Sequence, residues 1–331
     1  MDGLSAFTID TRIVYGLKGA GKTSYISDCI ANDFFYKDGT TLILCFEQGK
    51  EKYDEEALLK KRTYVAICGD PRRTGEFCTE QIRKYKPDRI YVEMNAKFLP
   101  EEEQFPASMN ITSAVTWIEW TTLDQYMNVY RQWFGRMIAK SQQVIFRGCP
   151  SRELLAPYSQ QFRLMNHRAS YLRQDPMGYH ERAFDLFVPF SLEEAKITIS
   201  EKNYLIFWLD AADHPEHYEG KMLCFDDPLE LRQSTEDGPW SAGRVVMTCC
   251  MADLQFLSFE LSANDGGALC GGWATMETYG RTGADDYGRR VLKLEAKDLT
   301  YMPSPKAGMI LQGTGRSANR SFDASKIRYK K

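Results

Sequence analysis

The sequence predicts an α/β protein: a mostly parallel sheet wrapped by helices, followed by a small β-rich domain. Three observations point there. Short apolar, β-branched runs alternate with helical patterns through the first half. A glycine-rich turn separates the first of those runs from the first helical pattern. After about residue 190, strand-like stretches follow one another with no long helix between them. A length of 331 residues suits two domains with proper cores, and 43% hydrophobic residues rule out a disordered or collagen-like chain. The expected partition is 1–190, 191–311 and a tail from 312 to 331.

In chain order, the candidate strands of the first domain are Thr11–Tyr15, Thr40–Phe46, Tyr64–Ile67, Arg89–Glu93, Ala114–Ile118 and Gln143–Phe146. Between the last two, apolar residues recur from Leu123 at Tyr126, Met127, Tyr130, Trp133, Phe134, Met137 and Ile138. Spacings of three and four put them on one helical stripe, read as packing against the sheet, with Thr121 or Thr122 as cap. In the second domain the candidate strands are Lys221–Phe225, Arg244–Cys249, Leu254–Leu261, Trp273–Glu277 and Arg290–Leu294, with a short helix near Phe207–Ala212. Five strands and one helix are compatible with a small β-barrel, the OB type among them.

Charge is unevenly spread. The whole chain carries −3, yet from Gln312 onward six basic residues face Asp323 alone, a net +5 that leaves −8 elsewhere. With three Ser, two Gly and few apolar anchors, that tail reads as disordered. An acidic body argues against a whole-surface nucleic-acid binder. No apolar run approaches the roughly 20 residues of a membrane helix. The start lacks a secretory signal pattern, so no membrane insertion and a cytoplasmic location are expected. Nine scattered cysteines form no disulfide framework and suit a reducing compartment.

The most specific signal is Gly16-Leu17-Lys18-Gly19-Ala20-Gly21-Lys22-Thr23, a full match to G-x-x-x-x-G-K-[ST]. It follows Ile13-Val14-Tyr15 and precedes the helical pattern that opens at Ser24, the strand-loop-helix order of a phosphate-binding P-loop. Glycines let the backbone curl until its N–H groups face an anion at the positive end of a helix. Gly16, Lys18, Gly19, Ala20, Gly21, Lys22, Thr23 and Ser24 are therefore the expected nucleotide contacts. Lys22 is assigned to the β- and γ-phosphates and the Thr23 hydroxyl to Mg²⁺. Lys18 either adds charge at the phosphates or faces solvent. These residues make the first domain a candidate P-loop NTPase.

A Mg²⁺ ion also needs a carboxylate at a neighbouring strand end. Glu93, closing Arg89–Glu93, is the first candidate; Glu47, after Thr41–Phe46, is the second and could instead orient water. The expected catalytic set is thus Lys22, Glu47 and Glu93. Cys249-Cys250 invites a transition-metal reading, but successive strand side chains point to opposite faces, which favours a structural pair. His214 and His217 flank a proline and are expected on the surface.

In these residues the chain resembles the CobW-like P-loop GTPases, a family that includes metal chaperones. The likeness rests on the early loop, on Cys45-Phe46-Glu47-Gln48-Gly49, and on Lys86-Pro87-Asp88-Arg89 leading into Val92-Glu93-Met94-Asn95. It also resembles a subgroup whose β-rich C-terminal domain is similar to part of a bacterial permease-associated protein. That likeness is carried by Trp208-Leu209-Asp210-Ala211, by Pro215-Glu216-His217-Tyr218-Glu219-Gly220-Lys221, and by the segment from Gly243 to Asp253. The resemblance implies GTP as ligand, slow hydrolysis, zinc or cobalt handling and a client protein that receives the metal. Where that family reads guanine with Asn/Thr-Lys-x-Asp, this chain has Arg147-Gly148-Cys149-Pro150, so ATP stays open. The family's Cys-x-Cys-Cys has no counterpart here.

Three functions follow as expectations: a Mg²⁺-dependent nucleotide switch, a thiol-based zinc or cobalt chaperone that nucleotide merely gates, and a single-strand nucleic-acid module using the barrel.

Overall fold

The computed structural model describes residues 8–32, 38–94, 104–129, 131–185, 188–235, 238–247, 254–263, 269–303 and 310–312. Contacts divide the chain into two compact units: Met1–Pro157 with Arg168–Phe184, and Tyr158–His167 with Asp185–Lys331. The architecture is mixed α/β with a large, mostly parallel sheet, plus a separate β-barrel.

The first unit runs β1 (Ile9–Gly16), α1 (Lys22–Ala31), β2 (Thr41–Cys45), α2 (Glu55–Lys60), β3 (Thr63–Ile67), α3 (Thr74–Tyr85) and β4 (Arg89–Glu93). It continues through β5 (Met109–Glu119), α4 (Leu123–Val129), α5 (Arg131–Ala139) and β6 (Gln143–Arg147). After α6 (Ser159–Met165), which belongs to the second unit, β7 (Ser170–Gln174) and β8 (His180–Arg182) complete the sheet. Its order is β3-β2-β4-β1-β5-β6-β7-β8, with β7–β8 as the antiparallel pair. All five residues of β2 are buried, as expected for a strand covered on both faces.

Chain order places the functional edge. After β1 the strands build outward on one side and return as β4; β5 then adds on the other side. The direction of winding reverses at β1, and such a switch point opens a crevice at the carboxyl ends of the strands. The turns after β1 and β2 and the end of β4 all lie at that edge.

The six predicted strands are present; Arg89–Glu93 keeps its bounds and the other five shift at one or both ends. β5 begins five residues before the expected Ala114, because Met109–Ser113 alternates buried and exposed positions and carries no apolar run. The aromatic stripe spans α4 and α5, and Leu123, Met127, Phe134, Met137 and Ile138 are buried as a packing stripe should be. Tyr130 lies outside the described residues.

The second unit holds β9 (Lys196–Ile199), α7 (Glu201–Asp213), β10 (Met222–Gln233), β11 (Trp240–Met247), β12 (Leu254–Ala263), β13 (Gly272–Ala284), β14 (Arg290–Met302) and β15 (Ile310–Gln312). Pairing of β10 with β11 closes a barrel in the order β10-β11-β12-β14-β13, with β9 and β15 as side strands. β12–β14 is parallel and the other barrel pairs are antiparallel. The five sequence-predicted strands are these five. The short helix expected at Phe207–Ala212 is the centre of a 13-residue helix. Its Tyr204, Phe207 and Leu209 pack into the barrel core, where the Phe207 ring lies 5.2 Å from that of Phe259. The Tyr204 hydroxyl donates to the Leu257 carbonyl at 2.8 Å. Burying these three large side chains is worth about 1.5–3 kcal/mol each, which ties helix to barrel.

Candidate nucleotide site

β1 ends at Gly16 and α1 begins at Lys22, so the glycine-rich turn spans the crevice edge. Gly19 and Gly21 have φ of +91° and +94°, which side chains resist. Gly16 answers a second need: a Cβ there would sit 2.7 Å from the Trp117 carbonyl oxygen on β5. The Ala20 N–H closes the turn on the Leu17 carbonyl at 3.1 Å. At the N-cap of α1, Gly21 has no side chain to offer, and the first turn has no acidic residue. Its N–H groups and the helix dipole thus converge on a place suited to an anion.

Charge is arranged beside it. Lys22 is buried, and its ammonium donates to the carbonyls of Gly16 (2.8 Å) and Leu17 (3.2 Å) and to Glu47 Oε2 (2.8 Å). The Thr23 hydroxyl donates to Glu93 Oε1 at 2.9 Å, and the Tyr53 hydroxyl to Glu93 Oε2 at 2.5 Å. Glu93 is only 2% exposed, and burial holds its carboxyl above the usual carboxylate range against the pull of Tyr53, Lys22 and Thr23. A hollow of about 380 Å³ opens over Gly19, Lys22, Thr23, Glu47 and Glu93. Lys18 lines it and is exposed. Ser24 donates to Glu51.

The sequence candidates Lys22, Thr23, Glu47 and Glu93 therefore meet within one cluster. Glu47 does not stand free over the hollow: it is paired with Lys22. Thr23 and Glu93 offer hard oxygen donors side by side, the donor chemistry that suits Mg²⁺. The nearby Cys45 thiol lies 3.9 Å from Glu93 Oε2, and burial pushes its pKa up to about 12, so without a bound ion it stays protonated at neutral pH. Cys249 and Cys250 lie outside the described residues, as does the tail beyond Gln312.

No family model matches the chain, and neither does any curated protein. Among solved structures it is similar to the hydrogenase maturation factor HypB from Archaeoglobus fulgidus, at 15% identity and a TM-score of 0.37. That match covers 51% of this chain and 82% of HypB. It is also similar to a zinc-bound triple mutant of the YjiA GTPase, at 14% identity and 0.37, over 54% of this chain and 64% of that one. Likeness at this level assigns no function.

One neighbour of the site is silent in the sequence and a second is not. Tyr53 sits in a charged stretch without any local signal, and only the fold brings it to Glu93. Arg147 stands where the resemblance implies a base-reading motif; a Cβ at Gly21 would lie 2.4 Å from its Nη1. Arg147 thus packs against the glycine-rich turn. Beside it a second hollow of about 260 Å³ is lined by Gly21, Ser24, Trp117, Arg147, Gln174 and His180. The Trp117 indole N–H is buried with no hydrogen-bond partner, and burial pulls His180 below its ordinary value, favouring the neutral ring. No described helix is long and apolar enough to cross a membrane.

Proposed function

We propose that the first unit binds a nucleoside triphosphate with Mg²⁺ and hydrolyses it slowly, as a switch. The observation that carries this reading is the buried set Lys22–Glu47 and Thr23–Glu93–Tyr53 beneath an uncapped helix start. A buried ammonium at this place supplies the fixed positive charge that a phosphate anion would need.

In this reading the phosphates enter the hollow at Gly19–Thr23, and Lys22 exchanges Glu47 for phosphate oxygens. Glu47, released, is then placed to orient water. Thr23 and Glu93 would hold Mg²⁺, which when bound neutralises charge on the β- and γ-phosphate oxygens. Lys22 and the turn amides stabilise the charge that develops as the γ-phosphoryl group leaves. Lys18 adds exposed positive charge at the mouth. The nucleoside occupies the hollow at Trp117, Arg147, Gln174 and His180. GTP is the first expectation, from the resemblance to CobW-like GTPases, and ATP the alternative, since Arg147-Gly148-Cys149-Pro150 holds neither the Asn nor the Asp of that family's base motif. A coupling to zinc or cobalt handling for a client protein follows from the same resemblance.

A thermal-shift comparison of GTP and ATP, each with and without Mg²⁺, tests this. One triphosphate at 100 times its dissociation constant should stabilise by about 2.7 kcal/mol, only with Mg²⁺ for the full effect. No shift with either nucleotide rejects the reading.

A further inference from the structure

The turn after α7 gathers groups that the nucleotide reading leaves unused. Asp213 ends the helix, and the His214 N–H donates to the Asp210 carbonyl at 2.7 Å. Pro215–Tyr218 then forms one 3₁₀ turn, closed by the His217 N–H on the His214 carbonyl at 3.0 Å. That turn stacks the rings of His214 and His217, 4.9 Å apart at 23°. It also brings Glu216 alongside, with Oε1 3.4 Å from His214 Nδ1. One donor atom from each of the three residues lies within 4.8 Å of the others.

We propose that His214, Glu216 and His217 bind a late first-row divalent cation of the zinc or cobalt kind, with Asp210 as the positioning residue. Asp210 is buried, and its Oδ2 meets both His217 Nδ1 (2.9 Å) and the Tyr218 hydroxyl (2.8 Å). A carboxylate on Nδ1 keeps the proton there and leaves the lone pair on Nε2, the tautomer a metal takes. Tyr218 is fully buried, and the following Gly220 N–H pairs with the Gly280 carbonyl at 2.9 Å. A Cβ at Gly280 would come within 2.2 Å of the Tyr218 carbonyl oxygen, so the turn rests directly on β13. His217 is thus held before any ion arrives.

Zinc–nitrogen bonds of about 2.1 Å in a tetrahedral site put donors about 3.4 Å apart. The His214–Glu216 pair already stands at that separation, and the exposed His214 and Glu216 side chains can close the rest. Two imidazoles select against Mg²⁺ and Ca²⁺, which prefer oxygen. Three protein donors leave a coordination position open, so the ion is exchangeable rather than structural. Arg290, 3.9 Å from Glu216 Oε2, competes for that carboxylate. This goes beyond the proposed switch, since every residue belongs to the second unit and no nucleotide is needed.

The test is titration of reduced, chelator-stripped full-length protein with Co²⁺, read by visible absorption without nucleotide. One saturable Co²⁺ per chain is expected, unchanged in Cys249→Ser/Cys250→Ser and in Lys22→Ala. His214→Ala/His217→Ala should weaken it at least about tenfold, Asp210→Asn by about 10- to 100-fold, and Arg290→Gln should tighten it. His214→Ala alone, at a side chain 54% exposed, guards against misfolding as the explanation. Absence of Co²⁺ binding, or binding lost in the cysteine variant and kept in the histidine variant, overturns the proposal.

Discussion

Lys22→Ala is expected to abolish the Mg²⁺-nucleotide thermal shift and to lower hydrolysis by at least about 100-fold. The lysine is 3% exposed, and all of its donors are spent on Gly16, Leu17 and Glu47. It is therefore pre-placed, and a triphosphate gains its charge at no cost in side-chain entropy beyond exchanging Glu47. Removing it leaves Glu47 facing the phosphates as a bare like charge. Glu47→Gln separates two roles. If Glu47 is a stand-in for phosphate, the amide holds Lys22 less firmly and nucleotide binds more tightly. If it also orients water, turnover falls in the same variant. Calorimetry and a phosphate-release assay read the two effects apart; a Lys22→Ala protein that still shows the full nucleotide shift contradicts the assignment.

Glu93→Gln should weaken the Mg²⁺ dependence of nucleotide binding at least about tenfold, because it removes the charge beside Thr23. The pH dependence of the parent protein follows from the surroundings. Glu93 is faced by Thr23 and Lys22 from α1, by Glu47 and Cys45 from the end of β2, and by Tyr53. Burial raises its carboxyl pKa, and Glu47 pushes the same way, while Tyr53, Lys22 and Thr23 favour the charged form. Only the ionised carboxyl can hold Mg²⁺. Mg²⁺-dependent binding is therefore lost on acidification at a pH above that of an ordinary glutamate. Tyr53→Phe deletes a hydrogen bond to the charged form, so the acid limb moves to still higher pH. A limb that moves down, or does not move, contradicts the role given to Tyr53.

How much of this was legible depends on how local the signal is. The phosphate turn is legible because its glycines and Lys22 are consecutive, and their conformational demands can be read residue by residue. Glu93 is legible because a buried strand pattern ends on it. Tyr53 and Arg147 reach the site only through the sheet order, and no spacing in the sequence announces that β6 lies next but one to β1. The β7–β8 hairpin is not legible for a simpler reason: SYLRQ and HER carry no apolar run, and the hairpin is set by Asp175, whose carboxylate accepts from the Met177 and Tyr179 N–H groups. In the second unit, the expected surface placement of His214 holds, at 54% side-chain exposure, but the sequence did not show that Asp210 pins His217.

The central claim is that the turn Gly16–Thr23 grips a triphosphate. A crystal structure with Mg²⁺ and a non-hydrolysable GTP or ATP analogue tests it most directly. The account predicts phosphate oxygens on the turn amides, Lys22 swung from Glu47 to those oxygens, and the ion between Thr23 and Glu93. A nucleotide bound elsewhere, or a turn that stays empty with Lys22 still on Glu47 at saturating ligand, contradicts it.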